Sequence, residues 1–136
     1  MAEGSSPTNK LYASLALALQ AGAGFDRPLW MGFDSSDMLA YTAATNALTA
    51  EMSTGGLARG TTTVVLTLAT TTVAADSCKC YASTSPTTAA AIYGAGMFSA
   101  STVGNLLAWH RWAAVVNATS TDTIQETITI QEEVGV

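Results

Sequence analysis

The chain has 136 residues, ten acidic against five basic, a net charge of −5 and one histidine. That length points to one domain, able to bury roughly two-thirds of its unfolded surface in a core. Only 11% of residues are charged, against about 25% in ordinary soluble domains.

The bases Lys10, Arg27, Arg59, Lys79 and Arg111 are scattered, so no basic stripe favours direct binding of nucleic acid. No run reaches the roughly 18 apolar residues of a membrane span. A surface so poor in charge is expected to be covered by other chains, because a monomer relies on surface charge for solubility.

In chain order, residues 1–8 (MAEGSSPT) are small and polar and read as a flexible arm or an extended contact peptide. Lys10 and the following LYASLALALQAGAG mimic a signal peptide. Leu11, Leu15, Leu17 and Leu19 among alanines instead suggest an N-terminal α-helix over 9–21, with Asn9 as N-cap and Gly22 or Gly24 as its stop. RPLWMGF (27–33) reads as a strand closed by the turn DSSD (34–37). Residues 38–52 fit either a short helix or a loop.

From residue 56 the chain turns β-like. GLARGTTTVVLTLATTT (56–72) is rich in threonine and valine, whose stiff χ1 suits a pleated sheet. DSCKCYAST (76–84), TTAAAIYGAGMF (87–98), NLLAWHRWAAVV (105–116) and DTIQETITIQEEV (122–134) follow between short breaks. Strands at that spacing argue for an all-β, antiparallel β-sandwich, jelly-roll-like, as a single domain over 9–136. In the last strand Ile124, Ile128 and Ile130 alternate with Thr123, Gln125, Thr127 and Thr129. Glu126 breaks the apolar face and is expected to meet an arginine or lie at an edge.

The chemistry-bearing residues are few. In Trp109-His110-Arg111-Trp112, strand geometry turns Trp109 and Arg111 to one face with Leu107, and His110 and Trp112 to the other with Leu106 and Ala108. Both faces are apolar enough to be covered. His110 as a general base would need a neighbouring carboxylate and a nucleophile, and no motif supplies them. These residues and Trp30 are therefore expected to anchor the core or a subunit interface, where tryptophan and arginine are enriched. Cys78 and Cys80 share a strand face and are read as buried and reduced. An interchain disulfide, or a metal shared at a trimer axis, are the other options. Gly22/Gly24 and Gly94/Gly96 make no phosphate loop, and the second pair suggests a bulge or a close backbone approach. Asn117-Ala118-Thr119 matches a glycosylation sequon. Asp34, Asp37 and Glu51 lack calcium-loop spacing and read as a solvated turn. The expectation is no enzyme, no cofactor and no metal.

The order of segments PLWMGF, ATNALTAEMSTGGLARGTTTVV, AIYGAGMFSASTVGNLLAWHRWAAV and STDTIQETITIQ resembles a family of small virion structural proteins of tailed phages and related viruses. The matching positions are Leu29 to Phe33, Thr45 to Arg59, Ala91 to His110 and Asp122 to Thr129, within residues 9–131. Tyr93 stands where the family has an acidic residue, and DSSDMLAYTA replaces its glycine-rich loop. The resemblance implies a protein of the virion, a capsid (head) decoration or cementing protein. Its partners would be copies of itself, as a trimer or similar homo-oligomer, and the major capsid protein or other virion proteins. Neither nucleic acid nor membrane would be a direct partner. A tail, baseplate or fibre-base component is the alternative within that class. A carbohydrate-binding attachment module is the alternative outside it, and would display Trp30, Tyr41 and Tyr93 as a flat row in solvent.

Overall fold

The computed structural model describes residues 4–10, 29–61, 63–67 and 77–131. They form β1 (Gly4–Pro7), β2 (Trp30–Asp34), β3 (Gly60–Thr61), β4 (Thr63–Thr67), β5 (Ser77–Thr84), β6 (Ala90–Phe98), β7 (Leu106–Ala118) and β8 (Ile124–Gln131). All pairings are antiparallel. One sheet has the order β1-β7-β6-β2-β3 and the other β4-β5-β8. The described residues are thus mostly β-strand in antiparallel sheets, as the threonine, valine and aromatic content implies.

Within the 1–8 segment, Gly4–Pro7 is an extended strand docked along β7. The helix expected over 9–21 lies, from residue 11 onward, outside the described residues. Residues 38–52 hold turns and no helix. They leave β2, and the chain then returns beside its end, where Met52 N–H donates to the Phe33 carbonyl at 2.9 Å and Asp34 bridges to Glu51.

The alternation of β2 divides the core. Met31 and Phe33 face a cluster that also takes Met97 and Ile92 from β6, Ala108 from β7, Cys80 and Ala82 from β5, and Ile124 and Ile128 from β8. Both sheets therefore bury their apolar residues in one cluster. Each fully buried side chain of that size stabilises the fold by roughly 1.5–3 kcal/mol. Trp30, one step out of phase, packs with Phe98, Leu106, Trp109, Met38, Leu48 and Tyr41. The 35–52 excursion thus supplies a lid of Met38, Tyr41 and Leu48 over the other face of the five-stranded sheet.

Two irregularities set the faces of β7. Phe98 pairs with Leu106 while Met97 pairs with Ala108, so Leu107 is an extra residue. This bulge brings Leu106 onto the face of Trp109, correcting the strict alternation that grouped Leu106 with Ala108. The second shift lies between Ile92 and Gly94. Beyond it β7 is less covered than expected: Ala113, Ala114, Val116 and Asn117 are exposed.

Gly94 and Gly96 do mark a close approach. A β-carbon at Gly94 would collide with the His110 carbonyl oxygen and lie 2.5 Å from Met38 Sδ; one at Gly96 would lie 2.6 Å from Leu106 Cδ1. Only a residue without a side chain lets the lid and β7 come so near.

Candidate functional site

The Trp109–Trp112 stretch of β7 joins both cores. His110 and Trp112 face the three-stranded sheet, and there they meet Glu126 of β8. Glu126 is buried, 6% exposed. Its Oε1 lies 2.9 Å from His110 Nδ1, and its Oε2 accepts the Trp112 indole N–H. Trp112 also tilts against Phe33 with ring centroids 6.4 Å apart. Glu126 therefore meets a histidine and a tryptophan rather than an arginine, and it points inward from its strand.

A carboxylate on Nδ1 fixes the orientation and tautomer of an imidazole. Here the second carboxylate oxygen is taken by an indole, a donor with no part in proton transfer. The trio works as a polar clasp across the interface of the sheets, where a charged acceptor satisfies two donors at once.

On the opposite face, Trp109 Nε1–H donates to the Thr42 carbonyl at 3.2 Å. Tyr41 packs edge-on against the Trp109 ring, centroids 5.7 Å apart. The Tyr41 hydroxyl donates to Asp34 Oδ2 at 2.5 Å and accepts the Thr49 N–H. Asp34 is fully buried. Its Oδ1 accepts both the N–H and the hydroxyl of Ser36 at 2.8 Å. One carboxylate thus ties the end of β2 to both limbs of the lid. The solvated turn expected for Asp34 is corrected: the aspartate is buried because its oxygens meet donors of the folded chain. Burial, and then the hydrogen bond to Asp34, hold the Tyr41 hydroxyl above its ordinary pKa.

Glu51 accepts Arg59 Nε–H and Nη2–H, a bidentate pair, while Arg59 Nη1 donates to the Ala100 carbonyl at 3.0 Å. The same guanidinium lies 3.4 Å over the centre of the Phe98 ring. Arg111 is 8% exposed. Its Nη1 is 4.0 Å from Asp37 Oδ1, and its Nε and Nη1 have no hydrogen-bond partner among the described residues.

Of the residues singled out in the sequence, Trp109 is buried and Trp30 and Trp112 half-buried in or against the core clusters, while Arg111 is buried and His110 half-buried. Cys80 is buried in the cluster between the sheets. The side chain of Cys78 lies outside the described residues. Glu126, Asp34 and Tyr41 were not picked as site residues. The charge interrupting an apolar strand face was the available signal for Glu126. Asp34 gave only a turn signal, since its partners Tyr41 and Ala50 are distant in sequence.

Among the described residues no three His, Cys, Asp or Glu side chains converge to hold a metal, and no helix is long and apolar enough to cross a membrane. Compared with protein-family models, with curated proteins and with solved structures, the chain matches none.

Proposed function

We propose that this chain is a virion structural protein, a capsid decoration or cementing protein that acts by packing against copies of itself and against capsid subunits. In this reading its two sheets form a jelly-roll-like β-sandwich.

The observation that carries the proposal is where the few charges go. Eight charged residues have described side chains; Asp34, Arg111 and Glu126 are buried, Glu51 and Arg59 are half-buried and paired, and only Lys10, Asp37 and Asp122 are exposed. Among the described residues, then, most of the few charges lie inside the fold or in a half-buried pair. The exposed positions among the described residues are mainly serine, threonine, alanine and glycine, which suits close packing against neighbouring subunits more than life as a solvated monomer. The resemblance of its motif order to that of small phage virion proteins supports the same reading.

The carbohydrate-binding alternative loses its distinguishing feature. Trp30, Tyr41 and Tyr93 are half-buried rather than exposed, and Tyr41 is committed to Trp109 and Asp34.

The test is the mass of the purified chain by light scattering, followed by co-sedimentation with isolated capsids and, separately, isolated tails. A discrete oligomer that pellets with capsids is the expected result. Binding to tails alone would move the assignment to a tail component. A monomer that binds neither would overturn the proposal.

A further inference from the structure

We infer that the buried guanidinium of Arg111 is a carboxylate-binding site, taking a monoanion on the edge formed by its Nε and Nη2. This goes beyond the assembly reading and does not depend on it.

The side chain of Arg111 is only 9% exposed. A guanidinium stays charged at any ordinary pH, so burial makes acceptors for its donors a condition of stability. Arg111 is short of them. Its Nε and Nη1 are buried without a hydrogen-bond partner. Asp37 Oδ1 is 4.0 Å from Nη1, beyond hydrogen-bond reach, and already accepts the Leu39 N–H at 3.1 Å. Among the described residues, Cys80, Asn105 and His110 make further interactions with the chain, and Arg111 does not. Arg59 shows what such a group takes in this fold. Its Nε and Nη2 hold both oxygens of Glu51, and its Nη1 donates to the Ala100 carbonyl. In Arg111 the Nη1 side has Asp37 as a more distant counter-charge, while the Nε–Nη2 edge meets no acid among the described residues.

That edge lies beside Gly4, the register partner of Arg111 in β1. A β-carbon on Gly4 would stand 3.7 Å from Nε, 3.7 Å from Nη2 and 3.6 Å from Trp109 Cζ3. Glycine therefore keeps the edge uncrowded. Gly4 is half-buried and Ser5 exposed, so the edge lies close beneath the surface. The chemistry of the ligand follows. Two parallel N–H groups match the two oxygens of a carboxylate. One positive charge, offset in part by Asp37, suits a monoanion better than a dianion such as sulfate. The Asp37 side chain is 45% exposed and nearest to Nη1, so water and salt screen its repulsion. An acidic side chain of a neighbouring subunit and a free small carboxylate present the same group to Arg111.

The experiment follows the Arg111 Nε–H resonance of the full chain by NMR as sodium formate replaces sodium chloride at constant ionic strength. A saturable shift is expected, with a rise in thermal midpoint, because a ligand of the folded state stabilises it. Sulfate should bind more weakly, and equal binding of sulfate overturns the carboxylate assignment. R111K keeps the charge but loses the edge. Its gain in midpoint should need about tenfold more formate or beyond, the loss of at least one charge-assisted hydrogen bond. In G4V the new β-carbon meets nothing closer than 3.6 Å, so the fold should hold while the crowded edge binds formate more weakly. A wild-type shift that never saturates overturns the inference without reference to any variant. So does a midpoint gain that both R111K and G4V retain. Co-sedimentation with isolated capsids and tails then separates the two sources. Loss of pelleting in R111K, with competition by formate, assigns the carboxylate to a neighbouring subunit; unchanged pelleting with saturable formate binding assigns it to a free carboxylate. A chain that binds formate at Arg111 but no particle defeats the assembly reading alone.

Discussion

Replacing Glu126 with alanine isolates the clasp between the sheets. The carboxylate is 6% exposed and is the acceptor for Trp112 Nε1–H and the partner of His110 Nδ1. Its removal deletes two hydrogen bonds to a charged group, each worth about 1.5–3 kcal/mol, and leaves their donors without that acceptor. Trp112 and His110 are only half-buried, so water recovers part of the loss. A net destabilisation of about 3 kcal/mol follows, within the range for breaking a buried pair from one side. Glu126→Gln keeps the shape and one acceptor oxygen and should lose about 1–1.5 kcal/mol. The assay is urea denaturation at fixed protein concentration, followed by circular dichroism and tryptophan fluorescence, with a double-mutant cycle against Trp112→Phe. Phenylalanine keeps much of the packing but cannot donate, so a coupling of about 1 kcal/mol or more is expected. A loss under 1 kcal/mol for Glu126→Ala, or additive effects in the cycle, would refute the clasp.

Two further outcomes test the lid and the β7–β8 turn. Tyr41→Phe strips the buried Asp34 of a donor and should destabilise the fold by about 2 kcal/mol; an unchanged denaturation midpoint would show that Asp34 does not tie the lid. Because the folded state holds the Tyr41 hydroxyl above its ordinary value, its contribution is complete below the unfolded tyrosine pKa, about 10, and is lost as pH rises through the folded value. Asp122 behaves oppositely. The Thr119 N–H, and then the Thr119 hydroxyl, lower its pKa. It therefore supports the turn above the ordinary aspartate value and stops doing so as pH falls through the lower folded value. The Thr119 amide resonance should titrate with a midpoint below about 3.9 and lose that titration in Asp122→Asn; a midpoint at or above the ordinary value would contradict the turn.

Local composition was enough to place most of the strands. The β-branched and aromatic runs at 76–84, 87–98, 105–116 and 122–134 each contain the observed strand or nearly all of it, and period two in β8 marked its buried face. That information is short-range: backbone preference and alternation need no knowledge of distant neighbours. The same short range explains the misses. Strict alternation could not foresee the bulge at Leu107, which depends on how β6 and β7 register, nor the exposure of Ala113 and Ala114, which lie at the second shift of that register.

The polar sites lie further still from what local pattern can tell. Glu126 stood out as a charge on an apolar strand face, yet its partners are 14 and 16 residues away across the space between two sheets. Asp34 looked like an ordinary turn acid until the lid brought Tyr41 and the Ala50 N–H to it. By itself, then, the amino-acid order determined the antiparallel β character, the inward and outward faces of the regular strands and the poverty of charge, because these depend on side-chain type and period. Tertiary structure alone decided which charges were buried and what each met, because an acid is stable in a core only where folding brings it enough donors.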